Sequence, residues 1–138
     1  MDVRRILWAA LSGSAIGASL LGGGGRIVMR ALALQNGRPL NFSLSGTLDI
    51  LAYGALVGGA AGAVAGVLPK ARLSPLWLTG VLLGLLAYAV TILTLPVHIA
   101  GTAAPFRDVM ALVHAGFGLC FVVFGLALVW LLVRLPGR

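Results

Sequence analysis

With 138 residues, 60% of them hydrophobic and only 9% charged, the chain cannot cover a water-facing surface, which usually takes about 25% charged residues. Together with a mean hydropathy of +1.08, this excludes a soluble domain and defines an all-α integral membrane protein: one domain over residues 1–138, with length for about four spans of about 20 residues each. The net charge of +7 does not indicate nucleic acid, because most Lys and Arg residues flank apolar runs, where they orient spans and meet phospholipid.

The N-terminus has a basic start, an apolar run and small residues, as signal peptides do. The run is long enough to cross a bilayer, so it reads as a signal-anchor-like first span over about residues 6–25. Ala9, Gly13 and Gly17 lie four apart on it and form a narrow ridge. Four glycines follow, Gly22 to Gly25, where a kink or a close helix contact is expected. Helical patterning continues to about Leu34 and places Arg26 and Arg30 on one face. Asn36-Gly37 and Pro39 then mark a turn, and Ser45 is the expected N-cap of the second span.

The second span, about residues 47–68, carries the most regular feature of the chain. Gly54, Gly58, Gly62 and Gly66 recur every four residues with small neighbours. On a helix this makes a ridge without side chains. Between lipid tails, helices associate by close packing, and small-xxx-small ridges let backbones approach. The ridge of Gly13 and Gly17 is its expected partner. Asp49 is expected in or near the first turn, where a carboxylate suits the helix dipole.

A short basic loop between Pro69 and Pro75 leads into the third span, about residues 76–95, with a further small pair at Gly80 and Gly84. The fourth span covers about residues 106–133. Cys120 lies mid-run, where it acts as a small hydrophobe. The result is a four-helix bundle with short loops.

With four spans both termini share one side. That side holds Arg4, Arg5, Lys70, Arg72, Arg134 and Arg138; the other holds Arg26, Arg30, Arg38 and Arg107. The cation count favours cytoplasmic termini. Trp8, Trp77 and Trp130 all fall near the termini side, as an aromatic belt would.

Polar residues gather at the opposite end: Arg26, Arg30, Asp49, Tyr53, Tyr88, Thr91, Thr94, His98, Arg107 and His114. Ionisable groups at membrane depth mark a functional site. In one reading Arg26, Arg30 and Arg107, with Asp49 and His114, bind an anionic group such as a lipid phosphate, since Arg suits bidentate capture. In another, His98 and His114 ligate a haem. In a purely structural reading the arginines snorkel to phosphates, the threonines bond their own backbone and Asp49 pairs with an arginine.

No Glu occurs in the chain, and no catalytic motif or metal-ligand spacing is present. The sequence therefore predicts an accessory or binding subunit without chemistry of its own, whose partners are membrane lipids, lipophilic cofactors, other transmembrane proteins or further copies of itself. The alternatives are a small transporter or channel with an outward-facing anion site, and a bis-histidine haem protein. The expected location is the bacterial cytoplasmic membrane.

Overall fold

The computed structural model describes residues 3–35, 37, 43–68, 75–94 and 106–134. It contains four helices long and apolar enough to cross a membrane, and the chain is an integral membrane protein. The first is unbroken from Val3 to Gln35: α1 (Val3–Gly17), a π-helical segment (Ala18–Gly23) and α2 (Gly24–Gln35). Its 33 residues span about 50 Å, some 20 Å more than a hydrocarbon core. The other three are α3 (Leu44–Val67), α4 (Leu76–Thr94) and α5 (Phe106–Arg134).

Helix α3 begins earlier than the sequence suggests. Ser43, not Ser45, is the N-cap: its backbone is extended (φ −111°, ψ 120°) and its hydroxyl accepts the Gly46 N–H at 3.2 Å. Ser45 instead pairs its hydroxyl with that of Ser43 at 2.9 Å. The earlier start moves Asp49 out of the first turn of α3, which holds no acidic residue.

The two glycine ridges meet. A β-carbon on Gly13 would land on the Gly58 carbonyl, and one on Gly17 would land on the Gly54 carbonyl. Gly62 faces the Ala9 carbonyl in the same way, and a β-carbon on Gly66 would lie 2.9 Å from the Ala9 methyl. Each step of four along α1 is thus matched by a step of four back along α3, the register of an antiparallel pair whose backbones touch.

A second pair is built by the same device. A β-carbon on Gly84 would strike the Phe121 carbonyl, and one on Gly125 would strike the Gly80 carbonyl. Gly80 and Gly84 therefore join α4 to α5, with Gly125 as their counterpart.

The glycine quartet joins the pairs. Gly22 lies against Leu51 of α3, Gly24 against the Cys120 thiol and Gly25 against the Phe117 ring of α5. This is the close contact expected there, reached through a π-helical segment. Gly116 of α5 receives Val28 of α2 in return. The bulky core lies elsewhere: the four largest fully buried side chains, Phe124, Leu128, Val129 and Leu132, all belong to α5. The bundle is closed between α3 and α1, between the first helix and α5, and between α5 and α4. Between α3 and α4 contact is sparse, and that side is an open seam.

The termini end is secured by arginine and tryptophan. Arg5 Nη2 donates to the Leu68 carbonyl at the end of α3, at 2.8 Å, as a cation at a helix C-terminus should. Trp8, Trp77 and Trp130 are all more than half exposed at this end, and the Arg134 guanidinium lies 3.9 Å above the Trp130 ring.

Candidate functional site

The polar residues at the distal end, opposite the termini, are organised helix by helix. Arg26 reaches from α2 to the start of α3. Its Nε donates to Thr47 Oγ1 at 3.1 Å and its Nη2 to the Ser43 carbonyl at 2.9 Å, with a further bond from Nη2 to Thr47 Oγ1. Thr47 in turn donates to the Ser43 carbonyl at 2.9 Å. The guanidinium fork thus ties α2 to the start of α3, where the Ser43 carbonyl and the Thr47 hydroxyl supply the acceptors. Arg5 and Arg26 together hold both ends of α3.

His114 has a partner that spacing alone does not reveal. Its Nδ1 lies 2.7 Å from the Tyr88 hydroxyl, across the α4–α5 interface. The Tyr88 ring stands edge-on to the imidazole, with centroids 6.2 Å apart, and packs against Phe121 at 5.3 Å. Tyr88 sits six residues from the end of α4 and His114 eight from the start of α5, so similar depth in antiparallel helices was the available signal.

The expected cluster is therefore distributed. Arg26 serves the α2–α3 contact, and His114 serves the α4–α5 contact. Arg30 is exposed one turn beyond Arg26. Asp49 does not join the arginines: it lies two residues from Thr47, on another side of α3, is exposed, and among the described residues has no ion-pair partner. The Arg107 side chain and His98 lie outside the described residues, so the anion site is described only for Arg26, Arg30, Asp49 and His114, and the haem pair only for His114. Among the described residues no three His, Cys, Asp or Glu side chains gather into a metal site.

The open seam holds a feature that sequence reasoning missed. A cavity of about 240 Å³ runs between α3 and α4. Its inner stretch is apolar, with Val57, Ala61, Val64 and Leu83 in its wall, and its distal end carries Tyr53, Thr91 and Thr94. The Thr91 and Thr94 hydroxyls each donate back to their own helix, to Ala87 and Val90 carbonyls at 2.8 Å, which leaves their oxygens as acceptors. The Tyr53 hydroxyl has no hydrogen-bond partner among the described residues. Asp49 stands one turn distal to Tyr53 on the same face of α3.

Comparison with family models, with characterised proteins and with solved structures gives no match for this chain.

Proposed function

We propose that the chain is a small accessory or binding subunit of a larger membrane assembly, without chemistry of its own, that contacts lipids or a lipophilic cofactor from the distal half of its bundle. One observation carries this reading. The polar groups Arg26, Tyr88 and His114 are turned toward neighbouring helices, while no more than a third of each span's most apolar window is buried inside the chain. What the spans offer outward is apolar surface at membrane depth, and its natural partners are lipid and other spans.

The cation distribution favours cytoplasmic termini, and the bacterial cytoplasmic membrane is the proposed location. The test is purification in a gentle detergent from the native membrane, followed by mass spectrometry of the co-migrating proteins. The expected result is co-migration with larger membrane proteins at fixed stoichiometry. Recovery solely as a monomer overturns the subunit reading.

A further inference from the structure

We propose that the α3–α4 seam is the binding site for one hydrocarbon chain of a bilayer lipid whose head carries hydrogen-bond donors and no net negative charge. The proposal rests on the lipid-contacting part of the function just given and assigns it a place and a ligand class. The gauge of the cavity decides what enters. Tyr53 to Val64 on α3 and Leu83 to Thr94 on α4 both cover about 16 Å at 1.5 Å per residue. A cavity of about 240 Å³ over that length has a cross-section of about 15 Å², against about 80 Å² for a helix about 10 Å across. A single extended chain can enter between the walls; a helix from another subunit can only lie over the opening. The lining residues Leu86 and Val90 are more than half exposed, so the seam opens sideways to lipid.

The polar end selects the head. Val64 and Leu83 line the inner end of the cavity with hydrocarbon, and its hydroxyls lie at the distal end. The amphipathic ligand therefore points its head distally. Tyr53 offers a donor with no described partner, whereas Thr91 and Thr94 have committed their protons and can only accept. A complementary head must both accept and donate. Asp49, exposed one turn further out, adds a negative charge that disfavours an anionic head and favours an ammonium group. Arg26 does not offset it locally, because its guanidinium is drawn to Ser43 and Thr47 on another side of α3. An amine-bearing zwitterionic lipid meets these conditions better than an anionic one.

The experiment reconstitutes the full chain in nanodiscs of equal parts phosphatidylethanolamine and phosphatidylglycerol, releases it into mild detergent and identifies retained lipid by native mass spectrometry. The expected result is one retained lipid per chain, with phosphatidylethanolamine favoured about fivefold. Ala60→Phe on α3 and Val90→Trp on α4 narrow the seam from opposite walls at exposed positions; either, provided it melts like wild type, lowers retention about tenfold. Asp49→Asn removes the head preference without emptying the seam, and Tyr53→Phe weakens retention of both lipids. Equal retention of the two lipids by wild type, or retention unchanged in both plugged variants, overturns the proposal. A chain that keeps the amine lipid but co-migrates with no other protein overturns the subunit reading alone. A chain with partners whose lipid ignores both plugs overturns the seam alone.

Discussion

Gly13 on α1 and Gly58 on α3 occupy each other's side-chain space: a β-carbon on either would strike the other's carbonyl oxygen. Neither obstruction can move aside, because both are backbone. Gly58→Leu is therefore expected to separate α1 from α3 at a cost above ~3 kcal/mol, the upper range for overpacking. Thermal melting in detergent and a cysteine cross-link between the two helices both read this, and a variant that melts and cross-links like wild type would falsify the interface.

The second glycine pair behaves independently. Gly125→Ala places a methyl on the Gly80 carbonyl and should loosen α4 from α5 while leaving an α1–α3 cross-link intact. Combined with a substitution at Gly13, far along another interface, the losses should add to within about 0.5 kcal/mol. Strong non-additivity would show that the bundle does not divide into two pairs.

Neighbouring glycines in the quartet should respond in opposite directions. A β-carbon on Gly23 meets nothing within 4 Å, whereas one on Gly22 comes within 2.9 Å of Leu51 Cα. Gly23→Ala is expected to stabilise by about 0.4–1 kcal/mol, chiefly by restricting the unfolded chain. Gly22→Ala is expected to destabilise. Equal effects on melting temperature would contradict the described contacts.

Arg26 should act as a tie between α2 and α3 rather than as a surface charge. Arg26→Ala removes donors from the Ser43 carbonyl and Thr47 and should cost about 1 kcal/mol. The loss should appear as faster amide exchange confined to the first turns of α3. Arg26→Lys restores the charge but not the planar fork, so exchange should stay faster than wild type. Full rescue by Lys would mean that charge alone matters.

For Tyr88 and His114, a double-mutant cycle with Tyr88→Phe and His114→Ala should return a coupling of about 1 kcal/mol. A coupling near zero would place His114 in a role outside this contact.

The glycine ridges were legible because a spacing of four leaves a recognisable mark on a helix face, and close packing between lipid tails demands such a face. The partner of each ridge was harder. Gly13 and Gly17 match Gly58 and Gly54 in number and spacing, so that pairing followed, but Gly125 opposite Gly80 has the bulky Phe121 and Val129 four residues to either side and no step-of-four ridge to announce it. Arg5 and Arg26 read as membrane-edge cations because nothing in a sequence says which backbone carbonyls will lie within reach. The α3 cap shifted for a related reason: Ser43 and Ser45 are both acceptable caps locally, and Arg26 binding the Ser43 carbonyl supports the earlier start. The seam left no local trace at all, because it exists only where two helices fail to meet.

The division into two glycine-locked pairs bears on how the protein can be made. Residues 1–68 contain α1, α2 and α3 with their arginine clasps at both ends, and residues 75–138 contain α4 and α5. Each half holds its own backbone-to-backbone interface, and the halves meet through side chains at the glycine quartet and along α5. During synthesis the first half can close before the second has left the ribosome. The seam then forms last, from two finished walls, with surrounding lipid already present as they come together.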